Sequence, residues 1–92
     1  MIRINLEFDK TLTSLAGNQF GKSEFNKQIQ NVQYEDCYEL SFPDRIQNMA
    51  TSFIQGFFQE FVRCFGISGI EEKVEIKSTI PNLKQFIIDC LV

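Results

Sequence analysis

Histidine and tryptophan are absent from this 92-residue sequence, proline occurs twice and cysteine three times. Without histidine the chain lacks the one side chain that ordinarily titrates near neutral pH, and with it the commonest general base and metal ligand. Cys37, Cys64 and Cys90 are odd in number, widely separated and set on apolar faces. That usage excludes a zinc knuckle or a disulfide framework and reads as reduced core thiols of a cytoplasmic protein. There is no acidic cluster of the calcium-loop kind, so neither a metal nor another cofactor is expected. Nine Lys and Arg stand against twelve Asp and Glu, a net charge of -3 with no basic run. The phosphate-backbone footprint is therefore missing and nucleic acid is not an expected partner. Nor is a membrane, because no apolar run approaches spanning length and the start of the chain lacks the basic and apolar regions of a signal peptide.

What is present is a core. The sequence is 43% hydrophobic with ten Phe, enough for one compact domain over residues 1–92. A chain of this size buries about 60 to 65% of its unfolded surface, which leaves no room for a second core.

Ile2, Ile4, Leu6 and Phe8 alternate with Arg3, Asn5, Glu7 and Asp9, the period of a strand with one buried and one wet face, placed near a sheet edge. Thr11 to Leu15 reads as a second short strand or a loop before Gly17. Phe25, Ile29 and Val32 predict a helix over Lys22 to Val32, with Ser23 before Glu24 in its first turn. Tyr38, Leu40 and Phe42 mark a strand that passes through Pro43 and Asp44 into the clearest element. There Phe53, Ile54, Phe57, Phe58, Phe61, Val62 and Phe65 recur at helical spacing, and Gly66 is placed as the stop. Gly56 inside this helix costs about 1 kcal/mol relative to Ala, which points to a close approach by a neighbouring backbone. A strand around Val74 and Ile76 follows, then Pro81 and a closing helix carrying Leu83, Phe86, Ile87, Cys90 and Leu91. Strands alternating with helices predict an α/β fold, a small mixed sheet packed on one side by helices, with an open sheet face.

Thr51 and Ser52 open the central helix, where unpaired N–H groups favour a cap, an anion or a phosphoacceptor. Ser52 with Gln55 three residues on predicts a capping box, the commoner role of such a serine and one compatible with modification. Gly17 to Ser23 nearly spells a phosphate-binding P-loop but has one residue too few between its glycines. It is expected to be a turn, with Asn18, Phe20 and Lys22 as loop contacts. Asp44 and Arg45, in the turn before the central helix, complete the candidate contacts, Asp44 as a turn former and Arg45 as a solvated cation.

The strand and turn Glu39-Leu40-Ser41-Phe42-Pro43-Asp44, the pair Ile46 and Met49, and Thr51-Ser52-Phe53 opening a Phe-rich helix resemble the STAS-like family of domains of unknown function. That family is related to the anti-sigma-factor antagonist and sulphate-transporter STAS domains. The likeness extends from Gly17 to the final helix. It implies a STAS-like fold, a regulatory binding role, and a phosphoacceptor position that maps onto Ser52, beside Phe53. It also implies a histidine-kinase-like ATPase as partner. The chain departs from the antagonists' Asp-Ser-Ser-Gly signature, having Met49-Ala50-Thr51-Ser52 with neither the preceding acid nor the following glycine.

No constellation of residues names a catalytic reaction, so the expected function is a non-enzymatic, regulatory protein-interaction domain controlled at Thr51/Ser52. Two alternatives stand beside it. One is a homodimeric structural or assembly subunit; the other is a small nucleotide-binding protein using the Gly17–Ser23 loop.

Overall fold

The computed structural model describes residues 1–92. The opening alternation gives β1 (Ile2–Asn5), followed by β2 (Ser14–Leu15), α1 (Asn18–Gln28), β3 (Tyr38–Ser41), β4 (Asn48–Met49), α2 (Thr51–Phe57), α3 (Gln59–Lys73), β5 (Val74–Lys77) and α4 (Leu83–Leu91). One sheet has the order β1-β3-β5, and β2 pairs with β4 in a second. The architecture is α/β with helices packed on the sheets, as expected, but every ladder is parallel, where a mixed sheet was expected. Parallel neighbours need crossovers, and helices supply them: α1 between β1 and β3, α2 and α3 between β3 and β5.

Register sorts the larger sheet into two faces. Ile2, Tyr38 and Val74 share one row and Ile4, Leu40 and Ile76 another, all on the helix side. Arg3, Glu39 and Glu75 alternate with them on the other side, together with Asn5, Ser41 and Lys77. On this polar face Arg3 lies 3.9 Å from Glu39, and Lys84 of α4 lies 3.5 Å from Glu75. On the apolar side the rings interlock. Phe61 meets Tyr38 edge-on at 5.2 Å and Phe25 at 5.8 Å, while Phe53 stacks on Phe57 at 5.3 Å. Phe53, Phe57, Phe58 and Phe61 are fully buried, in one cluster with Leu6, Leu40, Ile70 and Ile87.

Element boundaries differ from the sequence expectation in instructive ways. β1 ends at Asn5, yet Leu6 and Phe8 continue its alternation into the core. α1 begins at Asn18 rather than Lys22 and stops at Gln28 rather than Val32. Its end is set by Gln30 at φ 72, whose N–H bonds the Phe25 carbonyl at 2.9 Å, the role glycine usually fills. The Phe-rich helix bends at Phe58 (φ -92, ψ 4), dividing α2 from α3, although backbone bonds continue across the bend. Gly66 (φ 72, ψ 170) does break the coil, but helical turns resume and run to Lys73. Burial explains the continuation, since Ile70 reaches the core with 1% exposure and Val74 starts β5 directly afterwards. Strand β4 had no sequence signal.

Candidate functional site

The small sheet positions the junction. Ser14 pairs with Asn48 and Leu15 with Met49, in parallel, and the Ala50 N–H then bonds the Leu15 carbonyl at 2.8 Å. Two parallel strands therefore launch two helices side by side. α1 and α2 approach closely enough that a Cβ on Gly21 would lie 2.5 Å from the Phe53 carbonyl oxygen, and one on Gly56 would overlap the Asn18 carbonyl. The close approach inferred from Gly56 is thus to α1.

This arrangement changes the role of Ser52. The N-cap of α2 is Ala50, in extended conformation and with no side-chain cap. The expected Ser52–Gln55 capping box is not formed, because the β4 ladder fixes Ala50 and its carbonyl already accepts from the Ile54 N–H at 3.2 Å. The helix thereby starts before Ser52. Its hydroxyl instead accepts a hydrogen bond from the Gly17 N–H at 3.0 Å, joining the starts of α1 and α2. Thr51 turns the other way, its Oγ1 3.4 Å from the Cys90 Sγ of α4, and Gln55 Nε2 donates to the Cys90 carbonyl at 3.4 Å. Both hydroxyl-bearing residues are exposed.

The glycine segment is not a loop. Gly17 caps α1 and the residues from Asn18 to Ser23 are helical, with the Gly21 N–H bonded to the Gly17 carbonyl at 3.0 Å. From Gly21 onward its amides are engaged along a helix axis, and the segment does not wrap as a phosphate loop does; the Asn18, Gln19 and Phe20 N–H groups are the first-turn donors that a helix leaves without intrahelical partners. Asn18 is exposed, with its carbonyl against Gly56. Phe20 packs 6.4 Å from Phe8 and 5.8 Å from Phe53. It forms one wall of an open cleft of about 520 Å³ that Glu7, Asp9, Leu12 and Glu24 also line. Lys22 lies over a smaller hollow of about 150 Å³ beside Gly56 and Glu60.

Asp44 and Arg45 stand apart from this junction. Arg45 is not a solvated cation: its Nη2 donates to the Phe8 carbonyl and, at 3.2 Å, to that of Asp9, while its Nε is buried without a partner. The Thr79 hydroxyl donates to the Asp44 carbonyl at 3.2 Å. The turn is thus a staple that ties together the loops leaving β1, β3 and β5. No sequence pattern announces it, since its acceptors are main-chain carbonyls. Near it, Thr11 hydrogen bonds and, to a lesser degree, the Arg45 charge hold the Asp9 carboxyl below its ordinary value of 3.8.

No three His, Cys, Asp or Glu side chains converge on a point that could hold a metal ion, and no helix is long and apolar enough to cross a membrane. Comparison of the chain with protein-family models, curated proteins and solved structures gives no significant match.

Proposed function

We propose that this chain is a non-enzymatic, cytoplasmic regulatory domain of STAS-like type that binds another protein and is controlled at the Thr51/Ser52 helix start by a kinase-like partner. A histidine-kinase-like ATPase is the partner class that the resemblance implies. The observation that carries this reading is the Ser52 hydroxyl, which is exposed and yet is the acceptor that ties the Gly17 N–H of α1 to α2. A phosphate on that oxygen would bring a charge of about -1.5 to -2 and its bulk to the starts of two helices that pack backbone to backbone. Thr51 would carry the same perturbation toward α4. Modification at this junction would therefore be read by whatever protein contacts the starts of these helices.

The test is affinity capture from the native host with wild type, Ser52→Ala and Ser52→Asp, alongside mass spectrometry of the native protein. Ser52→Asp retains an acceptor for Gly17 and is expected to alter the captured partners while leaving the melting temperature nearly unchanged. Ser52→Ala is expected to cost about 0.5 to 1.5 kcal/mol of stability at most, the net value of one exposed hydrogen bond. Identical capture by all three, with Thr51 and Ser52 unmodified in the native protein, would sink the regulatory reading of this site.

A further inference from the structure

Strand β1 is an edge of the larger sheet, and the chain just beyond it is already closed at Glu7. In its ladder with β3 the Ile2 N–H bonds the Cys37 carbonyl and the Leu6 N–H the Ser41 carbonyl, each at 2.8 Å. The main-chain groups of Arg3, Asn5 and Glu7 accordingly point away from the sheet. At Glu7 both groups are occupied by one side chain. Gln28 Oε1 accepts from the Glu7 N–H at 2.8 Å, and Gln28 Nε2 donates to the Glu7 carbonyl at 2.7 Å. The same Nε2 is held 2.8 Å from Oε1 of the buried Glu24. The carboxamide thus imitates a neighbouring strand at one residue and blocks further pairing there. Arg3 and Asn5, both exposed, keep their outward N–H and C=O groups without partners, a template for another strand. The opposite edge offers less, because the Val74 N–H is taken by the Ile70 carbonyl.

We propose that the occupant of this edge is β1 of a second copy, paired antiparallel about a two-fold axis through Ile4, so that two three-stranded sheets join into one. Three self-pairing registers would engage the outward groups. Placing Arg3 opposite Arg3 sets like charges face to face, which destabilises a strand pair. Placing Asn5 opposite Asn5 sets Arg3 against Glu7, whose main-chain groups Gln28 has closed. Placing Arg3 opposite Asn5 uses every free group of both copies and leaves Ile4 facing Ile4 and Ile2 facing Leu6. Side chains then match on both faces: apolar residues meet on the helix side and the exposed Arg3 meets a neutral amide on the polar side. Self-complementarity of this kind is what an isologous contact requires. This dimer rests on β1 and Gln28, independently of Thr51 and Ser52.

Sedimentation and light scattering across a concentration series test it, with variants at the exposed position 5. Asn5→Asp places a carboxylate opposite Arg3 twice per dimer and is expected to tighten dimerisation by roughly 2- to 30-fold, with Asn5→Lys weakening it by a similar factor. Circular dichroism reads whether each variant folds. The register has its own readout: under oxidation Ile4→Cys should give a crosslinked dimer linked through position 4, since facing Cα atoms of a non-hydrogen-bonded antiparallel pair lie about 4.5 Å apart. Ile2→Cys should not. A wild-type protein that stays monomeric up to roughly 1 mM, where association would be worth only about 4 kcal/mol, overturns the proposal. So does a dimer indifferent to both Asn5 variants, or crosslinking at Ile2→Cys in place of Ile4→Cys.

Discussion

At the scale of single residues, hydrogen bonds to main-chain groups do much of the positioning in this protein. Gln28 closes β1 at Glu7, Arg45 ties the turn after β3 to Phe8 and Asp9, and Ser52 holds Gly17. Asp9 shows the electrostatic side of the same economy. The Thr11 hydroxyl and N–H donate to its Oδ1 at 2.7 and 2.9 Å, and Arg45 lies nearby. Its carboxyl is therefore more acidic folded than unfolded. With the folded pKa depressed, the stabilising contribution is complete above the unfolded value of 3.8 and is lost as pH falls through the lower, folded one. An NMR titration should place the Asp9 midpoint below 3.8, and Thr11→Val should raise it by removing the hydroxyl donor. A wild-type midpoint at or above 3.8 would contradict the assigned hydrogen bonds.

At the scale of elements, the contact between α1 and α2 decides most. Gly56→Ala would gain about 1 kcal/mol in helix propensity but force a methyl against the Asn18 carbonyl, a backbone group that cannot rotate aside. Overpacking costs about 1 to 3 kcal/mol and a clash with backbone lies at the upper end, so a net loss of about 2 kcal/mol is expected in denaturant unfolding. An unchanged or raised midpoint would show that the helices are further apart. The start of α1 makes a second prediction. Because the Gly17 N–H serves Ser52 and the segment is helical from Asn18 instead of forming a wrapped phosphate loop, ATP and GTP with magnesium should give no saturable heat and no thermal stabilisation, as bound ligand would raise stability by mass action. Micromolar binding that vanishes in Lys22→Ala would overturn this reading of the segment.

At the scale of the molecule, one aromatic cluster joins the larger sheet to α1, α2 and α3. Phe57 and Phe61 are its centre, fully buried and in contact with Phe25, Phe42, Phe53, Phe58, Tyr38 and Phe65 between them. Truncation of either to Ala is expected to cost about 3 to 5 kcal/mol, a large part of the roughly 5 to 15 kcal/mol that holds a domain folded. Gln59→Ala, between them in sequence and exposed, should change stability by less than about 0.5 kcal/mol. Similar melting temperatures for all three variants would mean that the buried face is misassigned. The Cα radius of gyration, 12.0 Å, matches the roughly 12 Å expected of a single compact chain of this length.

Periodicity by itself determined much of this structure. Alternation from Ile2 to Asn5 made a strand with one wet face, the Phe stripe from Phe53 to Phe65 made the central buried helices, and Gly56 marked a close helix contact. These features follow from the apolar pattern, because burying one face of a helix or strand is worth more than any local preference. Tertiary structure decided where the elements start and what their polar residues do. The two-residue β2–β4 ladder has too little sequence to leave a pattern, yet it fixes Ala50 as the start of α2 and turns Ser52 from an expected cap into a tie to Gly17. Ile67 to Lys73 coil despite Gly66 and Gly69 because Ile70 must reach the core. Arg45 and Gln28 find their partners among main-chain carbonyls and amides far along the chain, groups that every residue carries and that only the folded path brings within reach.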